Sequence, residues 1–466
     1  MLGSDPVKAP STLPPLSPLA EQTQGWDATE TAARVAKGEV SAEEAARAAI
    51  ERAQAWEPHL AAIVQPLYEE GLAQARLPRQ GCFAGVPTFV KDMENLIGAP
   101  TLYGTAALPT AVARSTAASV AEFMSTGPVA LGKSTTAEFG LTCTTEPVHG
   151  RPTRNPVDLT RTPGGSSGGA AALVAAKVVP IAHGGDGGGS IRIPAAWCGL
   201  VGLKATRGRL APMDSTRRMP IKIATYGVLT RTVRDTAAFY AAVERAPRRD
   251  MPPIGVVHGP GQAKLRVGLY IDPPLGTPVD PEVRRAIEAT ARRLEQLGHR
   301  VEPISAGYDQ QLVDDFLLHW GLLAAGVELT VRRTPGADVG RLEPWTRALA
   351  AQARRAWWRL PAALLRLRRF PQRYAQVFAA CDVVLSPATA APAPKLGHLG
   401  GQLSYDEHLA RLLDLVPFTP IQNASGTPAI SVPVGTTAAG LPIGAQLAAP
   451  WGHERRLLEL AFALEA

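Results

Sequence analysis

Apolar and polar positions alternate along the chain between helical and extended periods. A helical pattern begins at Asp27. Ser41-Ala42-Glu43-Glu44 reads as a capping box ahead of an alanine-rich helix to about Trp56. Gly85 to Val90 reads as a short apolar strand that ends at Lys91-Asp92. A helix over Ala117–Met124 leads into a strand at Pro128–Leu131, and the small apolar run Ala170–Val178 reads as a buried helix. Ala182 to Ser190 reads as a strand running into a loop. Leu265–Ile271 is a strand, and Asp280-Pro281 caps and starts a helix that stops at Gly298. Residues 236–264 carry less pattern, residues 1–24 read as a flexible proline-rich tail, and no internal repeat is visible. Strands that alternate with helices predict an α/β fold with a mixed sheet.

Composition adds bounds. The 466 residues are 45% hydrophobic and 19% charged, which are globular values. The net charge of +7 permits an acidic partner without requiring one, and no nucleic acid is expected. The four cysteines (Cys82, Cys143, Cys198 and Cys381) form no Cys-x-x-Cys pair, which argues against a disulfide framework or a zinc site. The N-terminal twenty residues do not read as a signal peptide. No run reaches the roughly 18 apolar residues of a membrane span. A cytoplasmic location is expected, and a homodimer is compatible with these features.

Two glycine-rich clusters carry the candidate chemistry: Gly164-Gly165-Ser166-Ser167-Gly168-Gly169 and Gly187-Gly188-Gly189-Ser190. Glycines let backbone N–H groups approach a ligand closely. A serine among them is a hydroxyl beside ready-made anion donors, as acyl transfer requires. Three other readings compete. Gly127 to Ser134 matches the phosphate-loop pattern, but Val129-Ala130-Leu131 reads as the strand that should precede such a loop. His183, Asp186 and Ser190 have the residue types of a Ser-His-Asp triad, yet triad members normally come from separate elements. Lys91, at the end of an apolar strand, gains a role as a base only if the serines lie near it.

Taken together, Gly85-Val-Pro-Thr-Phe-Val-Lys91-Asp92, Pro163-Gly-Gly-Ser166-Ser-Gly-Gly169, Gly185-Asp-Gly-Gly-Gly-Ser190-Ile-Arg-Ile-Pro194 and Cys198-Gly-Leu-Val-Gly-Leu-Lys204 resemble the amidase signature family. The resemblance extends over roughly residues 25–466 as one domain and is weakest between about 240 and 380. Phe418–Asn423, Gly426–Pro433 and Gly440–Gln446 resemble the family's C-terminal strands. The resemblance implies a central mixed β-sheet covered by helices on both faces. It also implies a Ser–Ser–Lys triad: Ser190 as nucleophile, Ser166 as proton relay on a cis peptide, and Lys91 as the base. The N–H groups of Gly187, Gly188, Gly189 and Ser190 would form the oxyanion hole, with Asp186 and Arg192 pairing to hold the loop. No metal or organic cofactor is implied.

Gly185 and Gly187 depart from the side-chained residues common at those places, and Lys133-Ser134-Thr135 departs from Lys-Thr-Asn. The Asp-Gly-Gly-Gly-Ser form, with His183 upstream and Ile193 after the arginine, is closest to bacterial amidases that include cyclic nylon-oligomer hydrolases. Ile193 stands where the glutaminase subunit of tRNA-dependent amidotransferases usually has glutamine. The expected activity is hydrolysis of a small linear or cyclic carboxamide. A glutaminase subunit and a non-catalytic binding protein of the same fold are the alternatives.

The region around 300–380 is expected to shape the substrate pocket, and its tryptophans suggest an apolar or aryl substrate. Within it, residues 345–374 carry eight arginines among Trp345, Trp357, Trp358 and Phe370. Such a segment can lie on a membrane surface. The competing reading is a pair of surface helices with solvated arginines and tryptophans that cover the core or pocket, which is the usual fate of charge runs.

Overall fold

The computed structural model describes residues 13–217, 219–244 and 251–465. Two sheets organise it. The smaller is built from β1 (Ile63–Pro66), β2 (Pro87–Lys91) and β3 (Val129–Ser134) in the order β1-β3-β2. Its β2 and β3 are parallel, with Lys91 opposite Ser134. The larger holds β4 (Ile181–Asp186), β5 (Val201–Lys204), β6 (Thr225–Thr230), β7 (Arg266–Leu269), β8 (Arg300–Pro303), β9 (Val383–Pro387), β10 (Ala429–Thr436) and β11 (Pro442–Ala448). Their order is β4-β6-β5-β10-β11-β9-β7-β8. Pairings from β4 through β9 are antiparallel, and β7 pairs with β8 and β9 in parallel, so the sheet is mixed as expected.

Side chains alternate across this sheet because successive strand residues point to opposite faces. Ile181, Val228, Leu385, Ile430 and Leu447 enter one core with helices Val233–Val243, Pro281–Gln296 and Glu454–Glu465. Their neighbours face the other side. Ala182 and Leu229 pack with helices Ala42–Leu60 and Gly168–Ala175. Val384, Ala429 and Ala448 pack with helices Gln310–Arg333 and Leu360–Ala375. Helices thus cover both faces. The strand interiors are almost wholly buried, which explains their continuous rather than alternating hydrophobicity.

Four expectations change. The three-stranded sheet stands beside the central one; it is tied on by the Thr88 hydroxyl, which donates to the Ile181 carbonyl at 2.8 Å. Of the tail expected over residues 1–24, residues 1–12 lie outside the described residues, and Pro18–Thr23 is a helix. It is held because buried Arg52 donates to the Ala20 carbonyl (2.9 Å) and the Thr23 hydroxyl (2.6 Å). The poorly patterned stretch from 236 begins inside helix Val233–Val243, which buries Val233, Ala237, Tyr240 and Val243 at helical spacing; residues 245–250 of that stretch lie outside the described residues. Phe418–Asn423 is no strand. Pro420 starts a helix to Ser425, and Gly426, at φ +81, ends it in the left-handed region.

Candidate active site

Strand β4 ends at Asp186, and the chain turns through Gly187-Gly188-Gly189-Ser190 into helix Arg192–Cys198. The turn needs glycine at 189: its φ is +126, and a Cβ there would collide with the Thr419 side chain. Thr419 in turn donates its hydroxyl to the Gly188 carbonyl at 2.8 Å. The first cluster approaches from the start of helix Gly168–Ala175. Here Gly165 fits closely against the Thr144 backbone, and the Gly165–Ser166 peptide is cis. The Ser167 N–H donates to the Ser190 carbonyl at 3.3 Å, and its Oγ bridges the Gly185 N–H and carbonyl, each at 3.2 Å. The two clusters are therefore stitched together by backbone and hydroxyl contacts.

Lys91 reaches this junction from the end of β2. Its Nζ donates to Ser166 Oγ at 2.7 Å and lies 3.3 Å from the Gly185 carbonyl. It is 2% exposed. Burial disfavours its charged form and pushes its pKa down to about 7, although Asp186 and Glu94 oppose the shift. Neutral lysine is thus accessible near neutral pH, and an amine lone pair can accept a proton. Ser166 and Ser190 are both buried, at 2% and 6% exposure.

Asp186 and Arg192 form a fully buried two-pronged pair, with both nitrogen–oxygen distances 3.0 Å. Burial alone would raise the Asp186 pKa. The Arg192 charge and hydrogen bonds outweigh it and hold the carboxyl at about 2. The carboxylate also accepts from the N–H groups of Gly189 (2.8 Å) and Ile191 (3.2 Å), so it anchors both ends of the Gly189–Ile191 turn. The expected pairing is therefore present. The Gly189 N–H, expected among the oxyanion donors, is engaged with Asp186 in this arrangement.

Sequence reasoning missed the residues that satisfy Arg192 from the far side. Gln422 and Gln446 accept from one guanidinium nitrogen at 3.0 and 2.6 Å, and Asn423 accepts from the other at 2.7 Å. All three lay inside quoted motifs, but only the fold brings residues 230 or more positions away to Arg192.

The competing constellations do not assemble. His183 is fully buried, stacked on Tyr226 with ring centroids 5.5 Å apart and tilted against Phe123. Burial, and then the charges of Lys91 and Lys133, push its pKa down to about 3. Asp186, its partner in that reading, faces Arg192 instead. Lys133 lies within strand β3, and its ammonium is 2.7 Å from Asp92 and 2.6 Å from the Thr101 hydroxyl. It is a buried structural cation within a strand, unlike the lysine of a phosphate loop.

A cleft of about 890 Å³, its open mouth included, borders Gly188 and Ser190. One wall is helix Gln310–Arg333, whose Phe316 and Trp320 lie over Gly187 and Gly188. Trp320 and Trp345 both donate their indole N–H to the Leu141 carbonyl, at 3.1 and 2.9 Å. This helix, within residues 300–380, borders the cleft. Within the arginine-rich segment, Trp345 is buried on His408, whereas Trp357 and Trp358 are 67% and 64% exposed and cover neither core nor pocket. Arg354, Arg366 and Arg373 pair with Glu328, Asp315 and Asp309 on or at the start of the same pocket helix. Among the described residues, no helix is long and apolar enough to cross a membrane.

Comparisons with known proteins show which family the chain belongs to. Residues 44–458 match the amidase family model. The chain is 43% identical over 444 residues to a putative amidase, AmiC, of Mycobacterium leprae (strain TN), covering 94% of each chain. It is 35% identical over 472 residues to the 6-aminohexanoate-cyclic-dimer hydrolase of Pseudomonas sp. (strain NK87), again covering 94% of each. A solved structure of a 6-aminohexanoate cyclic dimer hydrolase superposes with a TM-score of 0.85 at 31% identity, over 95% of this chain and 96% of that one. The chain belongs to the amidase signature family and is a hydrolase of C–N amide bonds.

Proposed function

We propose that the protein hydrolyses a small linear or cyclic carboxamide through an acyl-enzyme on Ser190, with Ser166 as relay and Lys91 as base. The observation that carries this reading is the 2.7 Å hydrogen bond between the buried Lys91 amine and Ser166, in a loop pair tied to Ser190. A serine hydroxyl is a weak nucleophile until its proton is removed. The proton of Ser190 passes to Ser166 as the proton of Ser166 passes to Lys91. Ser190 Oγ bonds to the carbonyl carbon, and the developing oxyanion takes hydrogen bonds from the N–H groups of Gly187, Gly188 and Ser190. The Gly189 N–H joins them only if it releases Asp186. Lys91 then returns its proton through Ser166 to the leaving nitrogen, and the C–N bond breaks. Water repeats the sequence on the ester, releasing carboxylate and restoring Ser190. Every proton in this scheme is carried by the chain itself, so it requires no metal or organic cofactor.

The test is covalent labelling. A fluorophosphonate should modify Ser190, located by peptide mass spectrometry, and Ser190→Ala should lose both labelling and turnover of acetanilide. Labelling at another residue, or full turnover by Ser190→Ala, would overturn the assignment.

A further inference from the structure

We infer that the cleft beside Ser190 selects amides whose acyl group is apolar and uncharged, and that it rejects acyl groups bearing a charge, glutamine among them. This rests on the proposed acyl-enzyme at Ser190. Among the described residues lining the cleft none is charged; the wall is built mainly of aliphatic and aromatic side chains such as Leu312, Phe316, Val416 and Ile421. Three of the polar wall side chains are already engaged. The Tyr308 hydroxyl donates to the Pro417 carbonyl (3.1 Å), the Trp320 indole to the Leu141 carbonyl (3.1 Å), and Thr142 Oγ1 pairs with His408 Nε2 (3.1 Å). A charged group entering here would lose its water and gain no partner. A hydrocarbon chain loses nothing and removes apolar wall from water.

Chemistry also sets which half of the substrate faces this wall. The leaving nitrogen must face Ser166 to receive its proton. Ser166 lies beside Gly140, where a Cβ would stand 3.2 Å from its Oγ. Gly140 lines the same cleft, so the amine takes the part nearest Gly140 and the acyl chain extends into the remainder, toward Leu312, Phe316, Val416 and Ile421.

Binding and chemistry can be read separately. Calorimetry on Ser190→Ala should show affinity rising about fourfold per methylene from acetamide to hexanamide. Glutaramate and glutamine should bind at least 100-fold more weakly than hexanamide. In the wild-type chain, kcat/KM for acyl p-nitroanilides should follow the same order, and changing the amine at fixed acyl group should matter less. Val313→Arg and Leu317→Arg, on half-buried cleft positions of the pocket helix, should each invert the preference between hexanoyl and glutaryl substrates. Either variant suffices if the other does not fold. Flat or reversed binding to Ser190→Ala, or a preference that follows the amine, overturns the inference. The expected binding order without Ser190 labelling or turnover overturns the proposed chemistry instead.

Discussion

The buried amine of Lys91 donates to the buried hydroxyl of Ser166 across 2.7 Å, and burial brings its pKa down to about 7. A base must be neutral to accept a proton. The kcat/KM of the wild-type enzyme should therefore rise with pH, tenfold per unit well below 7, and level off above it. His183 is not expected to supply that limb, because burial pushes the pKa of its ring down to about 3. A pH series from 5 to 9 with a neutral amide substrate measures this. A flat profile between 5.5 and 8 would sink the role given to Lys91.

His183 and Lys91 can also be separated by substitution. Lys91→Ala and Ser190→Ala should each lower kcat by more than about a thousandfold, the scale of losing one member of a relay that acts as a unit. His183→Phe keeps an aromatic ring against Phe123 and Tyr226, and its kcat should stay within about tenfold of wild type. Single-turnover rates, normalised to the concentration of folded protein, provide the comparison. An inactive His183→Phe beside an active Lys91→Ala would reverse the assignment.

Arg192 and Asp186 are both fully buried, so removing one partner strands the other. Arg192→Met should destabilise the fold by about 3–5 kcal/mol, the usual result of uncovering a buried charge. It should also slow turnover, because the Asp186 carboxylate that fixes the Gly189 and Ile191 N–H groups loses its counter-ion. The sign of the pH effect follows from the depressed carboxyl. Stability from Asp186 is fully present above its unfolded pKa near 4 and is lost as pH falls through about 2. Urea unfolding at pH 7 and pH 3 tests both statements; an Arg192→Met protein as stable as wild type at pH 7 would contradict the first.

How legible was this site? Ser166, Ser190 and Lys91 were singled out through a family resemblance, which could be seen because its glycine clusters and its lysine ending an apolar strand are local motifs. The helix after Asp280 was legible for the same reason, since its cap, N1 proline and terminal glycine are neighbours in the chain. Gln422, Asn423 and Gln446 were not, because their role exists only once Arg192 is folded against them. Of the small sheet, β2 and β3 were read as strands, whereas β1 escaped notice because it is four residues long and half-buried, too short to show a period. In residues 345–374, arginine positions reveal charge, but not the acidic partners Glu328, Asp315 and Asp309 that pair with Arg354, Arg366 and Arg373.

Glu343 gives the last test, on stability rather than chemistry. It precedes helix Pro344–Arg355 and accepts from the Val148 N–H at 3.1 Å, while its own N–H donates to Glu138 at 3.0 Å. Burial, and then the nearby Glu138 carboxylate, push its pKa up to about 7. The native state therefore holds a proton that the unfolded chain has already released between about pH 4.5 and 7. Stability from this group is complete below about 4.5 and is lost as pH rises through 7. Glu343→Gln keeps an acceptor for Val148 and removes the charge. The variant should match wild type at pH 4.5 and exceed it by about 1–3 kcal/mol at pH 8. Because this joint ties the pocket-side helix to the loop that presents Leu141, the KM of wild type should also rise over the same interval while that of Glu343→Gln stays level. Denaturant midpoints at the two pH values decide the matter: an equal offset at both would show that ionisation of Glu343 has no part in it.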